Sequence, residues 1–504
     1  MGDRPRGTGV ANFGITLGAS PNSLDVTGHF DTNAMAIMSL FTEPVERLSG
    51  DGSLTPNLAV KVTEPDDVTI VYTLREGVRF SDGTPLTAED VVWTINHVSD
   101  ADAGAATSSL ISSVAGAKAT GELEVTVTLD RPDPTARQSL ALVALVQESR
   151  FAEKNSAELG QPTAVPVGTG PYRVTSSSAE SVRLERNENY WGEAPVPDTV
   201  TISFLGSDDT AQRAMRSGSL NGALVANPVT LPQFESISGV TVFSRPALQA
   251  EYFSLDTTVA PFDDIHVRRA IAHAIDREGV MHAAYGANAS LLRGLVPPGT
   301  LTPIASQVEV DALLDELKAI PFDLDAAADE IARSRHAGGF EMEVAVMPGT
   351  WMELAALNLR ENLASFGVTV KVRSVSSQEW VQTIFGHKTT AMFPMSFGAA
   401  VPDPGLLRRV VSEEARTQAG GYNFANWAPE DLRTPAATLV DSRDDAERFA
   451  AARTVLLRIA EEVPYIPMYQ PQFLIVLGEG FSFSEAPTAI DMASGIWMRR
   501  LIAE

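Results

Sequence analysis

Met342 to Met395 reads MEVAVMPGTWMELAALNLRENLASFGVTVKVRSVSSQEWVQTIFGHKTTAMFPM. Met342, Val344 and Val346 alternate with Glu343 and Ala345, the period of a strand, and Pro348 and Gly349 stop it. Met352, Ala356, Leu359, Leu363 and Phe366 then recur at steps of four and three, one apolar face of a helix. Gly367 stands where a left-handed helix cap belongs. Val368, Val370 and Val372 form a second strand, and Ser376 with Glu379 spells a capping box for a second helix. Ala391 to Met395 is a third strand. Strand, helix, strand, helix, strand at this spacing implies right-handed crossovers and a largely parallel sheet covered by helices, an α/β architecture.

Outward from this segment the same periods recur. Ala11 to Ala19 reads as a strand, broken by Ser20, Pro21 and Asn22 before a helical stretch from about Thr32 to Phe41. Val68, Ile70, Tyr72 and Leu74 alternate as a strand with one buried face, followed by the turn Ser81, Asp82, Gly83. Thr87 with Asp90 caps a helix whose Val91, Ile95 and Val98 share a face. Pro171 to Val174 and Val182 to Arg186 form a hairpin signal, and Val200 to Leu205 a strand before a helix through Gln212 and Met215. No repeat of fixed period runs through the chain, which sets aside solenoids and propellers.

A length of 504 residues exceeds what one hydrophobic core serves, so two or more lobes are expected. Hydrophobic residues make up 44% and charged residues 20%, ordinary globular usage. Asp and Glu number 64 against 38 Lys and Arg, a formal charge of -26 that repels phosphate backbones and anionic headgroups and argues against nucleic acid as a partner. The absence of cysteine removes disulfides, thiolate metal sites and cysteine nucleophiles. The longest apolar run, Leu140 to Val146, is far shorter than the roughly 20 residues that span a bilayer. The start, Met1 to Gly7, has no apolar leader core, as in a cytoplasmic chain or a mature one whose leader is absent.

Enzyme signals are lacking. The Gly-x-Gly patterns at Gly7 to Gly9 and Gly168 to Gly170 do not continue as phosphate-binding loops. His266 and His273 would lie two helical turns apart, about 10 Å along the axis, too far to chelate one metal. The pairs Asp208-Asp209, Asp263-Asp264 and Asp444-Asp445 read as helix starts, where carboxylates meet the positive end of the dipole. No catalytic residue, metal ligand set or cofactor is expected.

Several stretches in order carry a resemblance: Leu24-Asp25, Phe41 to Leu48 (FTEPVERL), Leu74 to Trp93 (LREGVRFSDGTPLTAEDVVW) and Gly168 to Tyr172 (GTGPY). Asn187 to Trp191 (NENYW), Pro261 to Arg277 (PFDDIHVRRAIAHAIDR) and Pro464 to Tyr469 (PYIPMY) continue it. Together they resemble the family 5 extracellular solute-binding proteins of ABC importers, the peptide- and nickel-binding branch. Most of these residues also have a structural reading. Gly77 and Gly83 flank turns, Gly168 and Gly170 allow close approach, Trp191 is a core aromatic, and Val267, Ala270, Ile271, Ala274 and Ile275 form a helix face.

The resemblance implies a bilobal, periplasmic-binding-protein-like α/β fold of type II with an extra subdomain in lobe I. Lobe I would hold residues 1–43, 167–250 and 472–504, the inserted subdomain residues 44–166, and lobe II residues 251–471. It implies a monomer that captures a peptide-like solute between the lobes and delivers it to the transmembrane subunits of an ABC permease. It also implies an extracytoplasmic location, periplasmic or lipid-anchored, with the leader absent from this chain.

Ligands of open α/β sheets lie beyond the carboxyl ends of the strands, which selects Pro348 to Trp351, Ser374 to Ser377 and Ser396 to Val401, and in the first lobe Ser20 to Ser23. The expected ligand-binding residues are Ser20, Asn22, Glu43, Trp351, Ser396, Phe397, Gly398, Ala399, Ala400, Asp403, Tyr422 and Trp427. Peptide binders of the resembled family carry an aromatic residue followed by a segment like Asp-Tyr-Pro-Asp-Pro, whose first Asp pairs with the peptide ammonium. Here the segment is Ala400-Val401-Pro402-Asp403-Pro404, so Ala400 stands at the carboxylate position. A buried ammonium without a counter-charge costs several kcal/mol. Three ligand readings stay open: a peptide held by its backbone with another acid such as Glu43 at its ammonium; an oligosaccharide stacked on Trp351, Trp380, Phe397, Tyr422 or Trp427; and a metal chelate.

Overall fold

The computed structural model describes residues 12–18, 20–25, 27, 32–100, 105, 107–386, 390–416 and 422–503. The start of the chain and the Ala11 and Ala19 ends of the first expected strand lie outside them. The chain forms two compact units, Met1–Arg245 with Phe473–Glu504, and Pro246–Gln472.

In the first unit, strand Asn12–Thr16 pairs in parallel with Thr199–Ser203 on one side and Gly222–Leu224 on the other. The hairpin Tyr172–Ser177 and Ser181–Arg186 extends this sheet, antiparallel to Thr199–Ser203. Helix Thr32–Met38 ends three residues earlier than its periodicity suggests. Its last turn tightens to i−3 bonds, Leu40 N–H to the Ile37 carbonyl at 3.1 Å and Phe41 N–H to the Met38 carbonyl at 3.0 Å, and the chain then pairs outward, the Phe41 carbonyl accepting from the Gly170 amide at 2.9 Å and that of Leu40 from the Tyr172 amide at 3.0 Å. Gly170 is required there, because a Cβ would stand 2.7 Å from the Phe41 carbonyl carbon.

A separate antiparallel sheet in this unit runs Ala59–Asp66, Thr69–Leu74, Glu124–Leu129, Val114–Gly121 in spatial order. Ile70, Tyr72 and Leu74 point to its buried side, as their alternation requires. Helix Ala88–Ser99 packs on it with Val91, Ile95 and Val98 buried, and Thr87 and Asp90 close a reciprocal capping box.

In the second unit Glu341–Val346 lies parallel to both Thr369–Ser374 and Met392–Gly398, the arrangement implied by the alternating strands and helices. Met392–Gly398 then pairs antiparallel with Gln249–Leu255, which pairs antiparallel with the first part of Tyr465–Leu477. Helix Trp351–Leu363 buries Met352, Ala356, Leu359 and Leu363, and Gly367 has a φ of 76° in the left-handed region. Each fully buried Leu on such a face contributes roughly 1.5–3 kcal/mol.

Two expectations change. Ser396, Phe397 and Gly398 were expected in a loop but belong to the strand, because their backbones pair with Glu251, Ala250 and Gln249. Ser376 does cap helix Ser377–Phe385 by accepting from the Glu379 amide at 3.1 Å, but the box is not reciprocal. The Glu379 carboxylate turns instead to Arg373 Nη1 at 2.7 Å, a charged donor that outcompetes a backbone N–H.

Candidate functional site

Along strand Gln249–Leu255 the pleat alternates side chains between two faces. Phe253 and Leu255 join the core beneath Trp351 and Leu359, and Glu251, one pleat nearer the strand's start, is only 4% exposed. This strand runs antiparallel to Met392–Gly398, so its start lies beside the carboxyl end of that strand. The loops after Glu341–Val346 and Thr369–Ser374 leave at the same end of the sheet, where α/β folds place ligands.

Four elements converge on the Glu251 carboxyl. Ser396 stands opposite it across the strand pair, and Gln249 Nε2 donates to Ser396 Oγ at 2.6 Å and reaches Glu251 Oε1 at 3.4 Å. The Tyr285 hydroxyl, at the end of helix Arg277–Tyr285, donates to Glu251 Oε2. The Trp351 indole donates from the first turn of its helix. Tyr469 faces Glu251 from the other neighbouring strand, where a bulge breaks the register between Glu251 and Tyr252. Bulges of this kind re-aim side chains and recur beside functional sites. The Tyr469 ring meets those of Trp351 and Tyr285 edge to face at 5.7 and 5.8 Å, and its buried hydroxyl has no hydrogen-bond partner among the described residues.

Burial pushes the Glu251 carboxyl up to about 8, against the opposing pull of the Tyr285, Gln249 and Trp351 donors. No described basic side chain acts on it. Arg277, at the start of the helix that ends in Tyr285, is spent on the carbonyls of Pro467, Ile320 and Leu292 at 2.9, 3.2 and 3.3 Å.

The opposite face of the same strand pair carries a different cluster. Phe397 lies 4.4 Å from Tyr422 between ring centroids, and the Arg409 guanidinium covers Tyr422 at 4.5 Å and Phe397 at 5.7 Å. Burial depresses the Arg409 pKa, with Tyr422 and Tyr252 partly offsetting it. This face carries two rings tilted by 43° under a guanidinium, whereas the Glu251 face carries a buried acid.

The expected site residues divide accordingly. Ser396 and Trp351 meet at Glu251, while Phe397 and Tyr422 meet on the other face. Trp351 is no loop residue: it begins a helix and packs against Phe253 at 5.4 Å. Gly398 is exposed at the strand's end, the Ala399 amide continues the pairing to the Leu248 carbonyl at 2.8 Å, and Ala400 is half-buried just beyond. Asp403 is buried in an ion pair with Arg448 and caps the Gly405 amide at 2.7 Å. Trp427 lies in the core beside Phe424 and Leu432.

In the first unit, Ser20 and Asn22 are exposed after strand Asn12–Thr16, and the Ser20 hydroxyl turns to the Pro21 carbonyl at 3.4 Å. Glu43, considered as a substitute anchor for an ammonium, is already committed. Its carboxylate accepts from Trp191 Nε1 at 2.8 Å, Thr169 Oγ1 at 3.0 Å, Arg47 Nη2 at 3.1 Å and the Tyr190 hydroxyl at 3.3 Å. Trp191, expected as a core aromatic, is half-buried instead, held by that bond and by the Arg75 guanidinium 4.4 Å above its ring. Sequence reasoning missed Gln249, Glu251, Tyr285 and Tyr469. The one local signal was a lone acid inside the apolar run Ala250 to Leu255.

The histidines on helix Ile265–Ala274 serve separate partners, His266 with Glu330 Oε2 at 2.6 Å and His273 with the Pro321 carbonyl at 2.9 Å. Asp264 and Asp444 cap helices, and Asp208 and Asp209 fill a first turn. Among the described residues no cluster of three or more His, Cys, Asp or Glu is placed to hold a metal.

Comparison with known proteins places this geometry. The model of bacterial extracellular solute-binding proteins, family 5 (middle), matches residues 53–414. This chain belongs to that family. The family 5 protein is 24% identical over 495 residues to the glutathione-binding protein GsiB of Escherichia coli (strain K12), covering 94% of this chain and 93% of the relative. Its fold is similar to that of the substrate-binding protein CtaP of Listeria monocytogenes, with a TM-score of 0.83 and 20% identity over 98% of this chain and 99% of the other. It is also similar to DppA of Helicobacter pylori, solved with the peptide STSA, with a TM-score of 0.80 and 19% identity over 98% of each chain. As a member of this family the protein is an extracytoplasmic binder of solutes with the type II periplasmic-binding-protein fold.

Proposed function

We propose that this protein captures a peptide-like solute outside the cytoplasm and hands it to the permease of an ABC-type importer. The observation that carries the reading is the family match over residues 53–414, within which Glu251 and Phe397 stand on paired strands of the second unit's sheet. Two of the relatives are described by what they bind, glutathione in one case and the peptide STSA in the other. Binding engages Ser396, Phe397, Tyr422 and the backbone of Gly398 to Ala400 in the second unit. The oligosaccharide reading loses support from the burial of Trp351 and Trp427, whose ring faces are covered by core neighbours and cannot stack on a sugar. A lipid anchor supplied by an upstream leader, a monomeric state and the absence of catalysis belong to the same reading.

Native mass spectrometry of protein purified gently from its own producer tests the proposal directly. A retained ligand whose fragments give amino acids is expected. A retained sugar, or turnover of chromogenic ester, glycoside or peptide substrates, would overturn it.

A further inference from the structure

The groups around Glu251 contradict one another unless something is added. Tyr285, Gln249 and Trp351 all present hydrogen-bond donors to its carboxyl, the set that suits a carboxylate able only to accept. A neutral acid must donate its own proton; the Tyr285 hydroxyl oxygen can take it, but the Tyr285 hydrogen then loses the carboxyl as its partner. Yet the carboxyl is buried and no described cation acts on it, the surroundings of a neutral acid. Beside it the Tyr469 hydroxyl, fully buried, has no hydrogen-bond partner among the described residues. Donors for an anion, an unpartnered hydroxyl and no counter-charge together describe a site that lacks one positive group.

We propose that Glu251 is the counter-charge for a compact organic ammonium group of the bound solute, set on the strand Gln249–Leu255 instead of the loop position that holds Ala400. The proposal rests on the reading that the solute binds at this end of the second unit's sheet. An organic cation fits better than a metal ion, because among the described residues Glu251 belongs to no cluster of three or more His, Cys, Asp or Glu. Around the carboxyl the edge-to-face rings of Trp351, Tyr285 and Tyr469 form the apolar wall of the site. Half-buried Gln249 and Ser396, bonded to each other, form the outer layer of the site, with Glu251 beneath them.

The proton follows from the same geometry. Tyr285 from helix Arg277–Tyr285 and Tyr469 from strand Tyr465–Leu477 are the titratable groups facing Glu251, while Arg277 and Asp276 act on Tyr469. Before binding, Glu251 carries a proton at neutral pH. The arriving ammonium stabilises the carboxylate, the proton leaves to solvent, and the net charge of the site is conserved.

The test uses the full chain and its E251Q variant, a near-isostere, with a synthetic tripeptide library offered with free amino groups and again after acetylation. Native mass spectrometry of the retained pool is expected to favour free-amino members by at least about tenfold in the wild type and to lose that preference in E251Q. Calorimetry of a retained peptide in two buffers at about pH 6.5 is expected to show roughly one proton released per complex by the wild type, a readout that stands even if E251Q fails to fold. Equal retention of both libraries, a preference that survives in E251Q, or no proton release would overturn the proposal and leave the peptide reading intact. If neither library is retained, n-butylammonium chloride is the second probe. A thermal midpoint raised by it in the wild type and not in E251Q would keep the ammonium site and remove the peptide reading, and no effect would overturn the site as well.

Discussion

Glu251→Gln is expected to change how stability depends on pH as well as what the protein binds. Burial moves the Glu251 carboxyl from 4.5 to about 8, so the folded chain keeps a proton that the unfolded chain gives up. The sign is that of a raised acid. The stabilisation is complete below about pH 4.5 and is lost as the pH rises through about 8. One pKa unit corresponds to about 1.36 kcal/mol, which makes the change between about pH 6 and about pH 8 roughly 2 kcal/mol. With a urea dependence of about 2 kcal/mol per molar for a unit of this size, the midpoint falls by about 1 M over that interval. The assay is urea unfolding of wild type and Glu251→Gln at several pH values without ligand. Subtracting one from the other removes every other titrating group, and a difference curve that is flat from about pH 6 to about pH 8 would refute the assignment of a buried, unpaired acid.

Three further outcomes follow from the packing. Arg448→Met leaves Asp403 buried without its cation and is expected to lower stability by about 3–5 kcal/mol, measured by urea unfolding. Leu359→Ala opens a cavity under helix Trp351–Leu363 and is expected to cost about 3 kcal/mol in the same measurement. Gly170→Ala drives a Cβ to 2.7 Å from the Phe41 backbone and is expected to abolish soluble expression of the first unit's fold, whereas Gly206→Ala, with nothing within 4 Å, is expected to stay within about 0.5 kcal/mol of wild type.

The second unit's sheet was legible because its information is local. The periods of Met342 to Val346 and Met352 to Leu363, and the cap at Gly367, are set by neighbours within a few residues, and the structure keeps them. The failures have the opposite cause. Helix Thr32–Met38 gives way to a tight turn, and the backbone just past it, at Leu40 and Phe41, pairs with amides of Tyr172 and Gly170 more than a hundred residues on. Ser396 to Gly398 read as a loop because the strand that pairs with them lies about 150 residues upstream. Glu251 passed as a boundary residue for the same reason. Its partners Tyr285, Trp351, Ser396 and Tyr469 reach more than two hundred positions downstream of it, and only the fold brings them together. The burial of the Trp351 and Trp427 rings was not legible, because an aromatic residue carries no local mark of whether its ring is covered.

Where a counter-charge stands in the fold decides more than its position. A carboxylate in the loop after Gly398, at half-buried Ala400, would keep part of its hydration and be ionised before any ligand arrives. Such an anchor attracts ammonium groups at a distance, with an affinity insensitive to pH near neutrality. Glu251, walled by Trp351, Tyr285 and Tyr469, is neutral until a cation reaches it, so it exerts no long-range pull and gains its charge only in the complex. Below about pH 8 the cost of removing its proton subtracts from the affinity by up to about 1.36 kcal/mol for each pH unit. Uncharged solutes escape that cost but leave a neutral acid facing three donors. The two placements therefore recognise the same chemical group by different routes, and the strand position ties capture to the pH outside the cell.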